Sequence, residues 1–374
     1  MDVRTVGIEE EFLLVDPETG RLVEGAEAVL RNVREHDASG AELDVVDREL
    51  LRHMLEIRTE PSTDVADLGR QIVATRRTLG TAAGETGAAL VACGTTPLAH
   101  DDVEVAPKAR YRDMVAEFGA LGRTAGTCGM HVHVGIESRE EGVGVIDRLR
   151  PWLPVVLALS VNSPFFAGED TGHASWRSQV WTRWPTGGAT EIFGSEQAYD
   201  ALGRDLVATG AARDPGMLYY GARLSADHPT VEVRVADVCT DPDDALLIAA
   251  VVRGLVQTAS AAWASDQPPP QWRTEVLRAA SWRASRYGLA GTLVHPEDRE
   301  LRPAREILAS VVLRTRDVLE AGGDLDRVVQ GFDRLLGATG AVRQRATYER
   351  TGSLEGVVAD LVRRTESSWA DATS

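Results

Sequence analysis

The chain has 374 residues, 43% apolar and 26% charged, with 40 Lys plus Arg against 57 Asp plus Glu and a net charge of −17. That acidic balance argues against a nucleic-acid partner, which needs a basic face, and against an anionic membrane surface. No apolar run long enough to cross a bilayer is expected, and Met1-Asp2-Val3-Arg4 does not read as a signal peptide. The three cysteines, Cys93, Cys128 and Cys239, are too widely spaced for a CxxC metal site or a disulfide framework, which points to a reducing cytoplasm.

In chain order, Thr5 to Asp16 (TVGIEEEFLLVD) reads as a strand, and the Pro17-Glu18-Thr19-Gly20 turn after it suggests a hairpin. Glu24 to Glu35 reads as a short helix, then Ala41–Val46 and Glu49–Thr59 as a strand pair ending at Pro61. Thr63 or Asp64 caps a long amphipathic helix carrying Val65, Leu68, Ile72, Val73 and Leu79. Ala88 to Cys93 is a small apolar strand, Tyr111 to Leu121 a helix, and Gly122 to Gly129 a glycine-studded link to an HVH strand. Val143 to Ser160 is apolar and helical, started or kinked by Pro151 and Pro154.

Asn162 to Thr190 has no period and includes Trp176, Trp181 and Trp184; a loop of this length is usually functional or mobile. Arg177 and Arg183 among these aromatics suit an anionic substrate, with stacking on the tryptophans as mere packing the alternative. Ser195 caps a helix to about Ala208, Met217 to Ala222 looks like a strand, and Asp241 opens an apolar helix reaching Ala264. After Pro268-Pro269-Pro270, helices are expected near Thr274–Tyr287, Ala304–Ala321, Leu325–Leu336 and Leu354–Thr365. There is no internal repeat, so residues 1–374 read as one α+β domain with a helical C-terminal layer over about 243–366.

Four strand-like segments carry two ionisable residues at i and i+2, hence on one face, against an apolar other face. They are Glu9 and Glu11, Glu56 and Arg58, His131 and His133, and Glu232 and Arg234; Val231, Val233 and Val235 back the last pair. One such doublet is ordinary half-buried strand. Four together suggest one sheet with a charged cavity on one face and helices on the other. Carboxylates with arginine alongside are what Mg²⁺–nucleotide chemistry uses.

GIEEEF, LEIRTEP, GMHVHVGI, NSPFFAGEDTGHASWR, TVEVRVADVCTDPDD, AASWRASRYGLAGTLV and GATGAVRQR resemble, in that order, the bacterial carboxylate-amine ligases similar to glutamate–cysteine ligase type 2. The resemblance implies a glutamine-synthetase-like fold: a curved, mainly antiparallel sheet, helices on its convex face, and ATP, Mg²⁺ or Mn²⁺ and an amino-acid substrate on the concave one. It implies metal ligation by Glu9, Glu11, Glu56, His131 and Glu232. Glu49 is a further acidic ligand by the same resemblance, though its parity against Glu56 would need a bulge. Arg234 would meet phosphate, Arg177 the substrate carboxylate or γ-phosphate, and His133 the nucleotide or a neighbouring carboxylate. Arg343 and Arg345 lie in a family motif without a derivable role. A homodimer is implied too.

The implied reaction joins an amino-acid carboxylate, glutamate by the family's name, to an amine such as cysteine through an acyl phosphate. No GxxxxGK loop is present, so ATP would be held by metals and arginines. A phosphotransferase on the same sheet, a zinc hydrolase built on His131-Val132-His133, and a non-catalytic binding module are the competing readings. The hydrolase lacks an HExxH, and a binding module would not need four intact doublets.

Overall fold

Alternation along the strands decides which way each side chain of the sheet points. The structure, a computed structural model, describes residues 2–36, 46–48, 51–99, 109–123 and 126–370. Strand β1 (Val6–Val15) leads to α1 (Ala26–His36), β2 (Val46–Arg48), β3 (Met54–Arg58), α2 (Val65–Glu85) and β4 (Ala89–Val91). Helices α3 (Ala109–Phe118) and α4 (Ala120–Arg123) precede β5 (Gly129–Gly135), α5 (Arg139–Leu149) and α6 (Leu153–Ser160). A loop region holds β6 (Phe165–Phe166), β7 (Glu169–Asp170) and α7 (Arg177–Trp181), before α8 (Glu196–Ala208), β8 (Ala222–Leu224) and β9 (Thr230–Asp237). The rest is α9 (Pro242–Ala264), α10 (Thr274–Tyr287), β10 (Thr292–Val294), β11 (Leu301–Pro303), α11 (Ala304–Ala321), α12 (Leu325–Gly337), α13 (Gly340–Thr351) and α14 (Leu354–Ala370).

Seven strands form one sheet in the order β2-β3-β1-β5-β9-β8, with β4 added to β1, and all its pairings are antiparallel. Its apolar face (Ile8, Met130, Val132, Val134, Val231 and Val233) packs in one core with Leu68 and Ile72 of α2, Val143 of α5, Val155 of α6 and Leu247 of α9. A second core joins Phe12, Leu55 and Leu90 to Val29 of α1 and Leu361 of α14. The α+β architecture with a helical C-terminal layer is thus borne out: α11 and α12 lie on α9, α10 on α6, and α14 on α2 and β4.

Several elements differ from expectation, each for a local reason. The turn after β1 forms, but its return is a single bridge, Val15 to Leu22, not a strand. Met217–Ala222 is not a strand, because Asp214 accepts a hydrogen bond from Gly216 N (2.9 Å) and caps a 3₁₀ turn over Pro215–Met217; the strand starts at Ala222. Two helices stand where one was expected, with Pro151 between them, while Pro154 sits in the first turn of the second and starts it as expected. Helix α13 falls on the GATGAVRQR motif, where no helix was expected. Against the expectation of no apolar run, Pro242–Ala264 is by length and composition long enough to cross a membrane, yet 83% of its apolar window is buried within the protein. Glu10 points into the apolar side, where both Glu10 and Arg76 are fully buried. Arg76 donates to both its oxygens (2.9 and 2.5 Å) and to the carbonyls of Cys239 and Thr240. A buried carboxylate is tolerable only with such complete pairing.

Candidate active site

Strand register collects the four doublets on one face. Glu11 lies opposite Glu56 and Glu9 opposite Arg58 across β1 and β3. Across β1 and β5, Glu9 faces His131; across β5 and β9, His133 faces Glu232. A bulge sits between Met130 and Val132, so His131 opposes two residues, Arg234 and Val235. Val235 therefore does not join the apolar face as alternation suggested; it lines a cavity, and Ala236 takes the place opposite Met130.

The side chains converge accordingly. Donor atoms of Glu9, Glu56 and His131 lie within 4.8 Å of one another, as do those of Glu9, His133 and Glu232. Glu9 belongs to both triplets. Its Oε2 is 2.9 Å from His131 Nδ1 and its Oε1 3.3 Å from His133 Nε2. Glu11 sits one step along, accepting from Gly129 N (2.5 Å) and 4.0 Å from His131 Nε2. Burial alone would raise the Glu9 pKa, but hydrogen bonds from both histidines outweigh it and hold the carboxylate well below its usual range. Burial, then the neighbouring Arg234 charge, pushes the His131 pKa down, which favours the neutral imidazole. Carboxylate oxygens with imidazole nitrogens, and a buried His131 Nε2 that has no hydrogen-bond partner among the described residues, make a donor set that fits a hard divalent cation. Glu49 lies outside the described residues.

Glu232 is the crossing point. Burial would raise its pKa, yet Arg234 and Arg223 bring it down to about 2. Arg234 Nη1 bonds Glu232 Oε1, and Arg223 Nε donates to Oε2 at 2.6 Å. Arg223 was missed because the strand carrying it was expected to end one residue earlier. Its signal was available: in Ala222-Arg223-Leu224 the alternation puts Arg223 alone on one face, and register sets it opposite Glu232.

Arg177 reaches the same region from the loop. It is 1% exposed, makes no ion pair among the described residues, and only Nη2 finds an acceptor, the Arg234 carbonyl at 3.4 Å. Burial pushes its pKa down, and Nε and Nη1 are unpaired. Gly129 is what admits it, because a Cβ there would collide with the guanidinium. The backbone is fixed by Asp237, fully buried, which accepts from Ser163 Oγ (2.7 Å), Ser175 Oγ (2.8 Å) and Asn162 N (2.9 Å), while Ser163 Oγ accepts from Arg177 N. Arg183 instead is exposed and stacks on Trp176 (5.5 Å), the packing alternative.

The GATGAVRQR motif is a fastener for that loop. Gln344 Nε2 donates to Asn162 O and Oδ1, both at 2.9 Å. Arg345 bonds Asp170 (2.9 and 2.6 Å) and the His173 carbonyl. Arg343 joins Arg334 on Asp244 near the start of α9 (3.0 and 2.8 Å).

Two cavities flank the cluster. One of about 830 Å³ is lined by Gly7, Glu9, Arg58, His133, Gly135 and His228 among others. The other, about 820 Å³, is lined by Arg177, Trp181, Arg234, Val235 and Leu157 among others. Glu232 meets residues of both, His133 in the first and Arg234 in the second.

The sequence profile described as Glutamate-cysteine ligase family 2 (GCS2) matches residues 5–363. A Nocardioides sp. protein carrying the provisional name glutamate–cysteine ligase 2-1 is 54% identical, over 100% of this chain and 98% of its own. One of the same provisional name from Streptomyces avermitilis is 46% identical, over 97% and 100%. Among solved structures, glutamate–cysteine ligase from Francisella tularensis in complex with AMP aligns with TM-score 0.70 at 11% identity, over 99% of this chain and 90% of that one. A bifunctional glutathione synthetase from Pasteurella multocida gives 0.71 at 16%, over 98% and 53%. These two share the fold. Sheet and relatives together define an ATP-dependent carboxylate–amine ligase. The chain belongs to glutamate–cysteine ligase family 2.

Proposed function

We propose that this ligase joins an amino-acid carboxylate, glutamate, to an amine such as cysteine through an acyl phosphate, with ATP and Mg²⁺ or Mn²⁺. What supports this most is a pair of donor triplets sharing Glu9 directly beside two buried guanidinium groups. A carboxylate is a poor electrophile. Moving the ATP γ-phosphoryl onto it forms the acyl C–O–P link and releases ADP; the amine then attacks the carbonyl, and phosphate departs with the acyl oxygen. The nucleotide is assigned to the cavity lined by His133 and Arg58, its phosphates toward Glu9. The acid is assigned to the cavity of Arg177 and Arg234.

Glu9, Glu56 and His131, with Glu11 beside them, and Glu9, His133 and Glu232 would hold the divalent cations, which when bound neutralise phosphate charge. Arg234 adds fixed positive charge where the phosphoryl group passes, and Arg177 holds the anionic acid. His133 orients the nucleotide phosphates from the strand next to Glu9. Residues 1–374 act as one ligase domain, in a cytoplasmic homodimer. All three cysteines are free and buried, as a reducing compartment permits.

A screen of amino-acid pairs, L-glutamate with L-cysteine first, for stoichiometric ADP and phosphate release with mass detection of the amide tests this. Hydroxylamine in place of the amine traps the acyl phosphate as a hydroxamate. ADP release with a stable phosphorylated acceptor and no amide would make the protein a phosphotransferase instead.

A further inference from the structure

Two of the buried guanidinium groups that line the second cavity lie over one indole. Arg177 Cζ is 5.4 Å and Arg234 Cζ 5.5 Å from the Trp181 ring centroid. Trp181 closes α7 four residues after Arg177, so helical spacing brings these two together. Arg234 comes from β9, a different part of the chain. On its own side the indole leans on Tyr219, 4.7 Å between ring centroids, which limits how far it can turn.

Two like charges held this close and this far from water repel, and only Arg234 has a carboxylate partner, Glu232. An aromatic face attracts a cation, and the attraction grows as water is removed. One ring that meets both guanidinium groups therefore offsets part of their repulsion and sets their spacing. The unpaired groups around it are all donors: Nε and Nη1 of Arg177, Nε of Arg234 and Nε1 of Trp181. Four donors that find no acceptor among the described residues match a single group rich in acceptor oxygens and negative charge.

We infer that Trp181 is a positioning residue that holds Arg177 and Arg234 as a preformed two-guanidinium clamp for one oxyanion, a carboxylate or a phosphate, in this cavity. The inference rests on reading the cavity as the acid's site. A clamp assembled before the ligand arrives costs no rearrangement at binding, which is how fixed charge is most effective.

Calorimetric titration separates the two anion sources and needs no turnover. Wild type, Trp181→Leu and Trp181→Phe are each titrated with inorganic phosphate and, separately, with L-glutamate, and their kcat, ATP KM and thermal midpoints are measured. Trp181→Leu is expected to lose roughly tenfold or more in affinity for the anion the clamp holds, with ATP KM unchanged. Trp181→Phe keeps a ring face and should recover most of that loss. Leu binding like wild type overturns the inference, as does wild type binding neither anion. Phe failing as badly as Leu, with thermal midpoints lowered alike, also overturns it, since the ring would then be mere packing. A wild type that binds phosphate, loses it in Trp181→Leu and ligates no acid sinks the ligase reading while leaving the clamp intact.

Discussion

The cavity at the Glu9 end and the cavity at the Arg177 end are nearly equal in size, about 830 and 820 Å³, but they are made by different means. At the Glu9 end the polar side chains stand on β1, β3, β5 and β9, where register alone fixes their facing. At the Arg177 end only Arg234 and Val235 stand on a central strand. Arg177 and Trp181 hang from a loop held by Asp237 underneath and by α13 behind. The first cavity is a property of the sheet, the second of a tertiary clasp. Changes at the Glu9 end should therefore alter chemistry without loosening the protein, and changes in the clasp should alter one substrate's binding and little else.

Glu9 tests this most severely, being shared by both donor triplets. Glu9→Gln keeps the shape and removes the charge that both sets need, and kcat is expected to fall by about 10³-fold. Because Glu9 is only half-buried and pairs with imidazoles, its thermal midpoint should stay near wild type. A large drop in midpoint with kcat retained would make the cluster structural.

Arg234→Lys comes next and bridges the two cavities. A planar, permanently charged fork suits the oxygens of a transferring phosphoryl better than an ammonium, so kcat should fall about 10²-fold while ATP binding barely changes. Its bond to Glu232 supplies the opposing account, in which Arg234 merely neutralises a buried acid. In that account stability and metal affinity fall together, and kcat at saturating Mg²⁺ stays put. Measuring kcat, ATP affinity and thermal midpoint on one protein decides between them.

The contrast also governs what was legible beforehand. Period-two alternation exposed Glu9, Glu11, Glu56, His131, His133, Glu232 and Arg234, because a strand has only two faces and the apolar one announces itself. It failed at Val235, where a bulge adds a residue that no single strand reveals, and at Arg223, on a three-residue strand too short to carry a period. The pairing of Glu10 with Arg76 was invisible for another reason: it joins β1 to α2 across 66 residues. Arg177 was picked out through its aromatic company, but its fastening by Asp237, Ser163 and Gln344 depends on segments distant in sequence. The role of Arg343 and Arg345 followed only once Asp244 and Asp170 were beside them.

Loosening the clasp itself should have a smaller and one-sided effect. Arg345→Ala removes two bonds to Asp170 and one to the His173 carbonyl, on a side chain that is partly exposed. Gly340→Ala goes further, because its Cβ would strike Asn162 Oδ1 at the base of the loop. Both should raise KM for the acid substrate, Gly340→Ala by about tenfold and Arg345→Ala by less, with ATP KM constant. Equal rises for both substrates would show that the cavities are not independent.

The smallest effect is expected at the opposite end, from Thr230→Val. Thr230 Oγ1 lies 3.0 Å from His133 Nδ1, while Nε2 of the same ring is 3.3 Å from Glu9 Oε1. An ionised carboxylate favours a proton on the facing nitrogen, so without a cation the ring carries its hydrogen on Nε2 and Nδ1 accepts from the Thr230 hydroxyl. Valine has the same shape and no hydroxyl. It leaves the His133 ring in place but frees its tautomer and turning, at a cost of about 1 kcal/mol for one hydrogen bond. That corresponds to a rise in ATP KM of roughly fivefold, with acid KM unchanged and kcat lowered little. If Thr230→Val instead raised acid KM and left ATP KM alone, His133 would belong to the acid's end, and the assignment of nucleotide and acid to the two cavities would have to be exchanged.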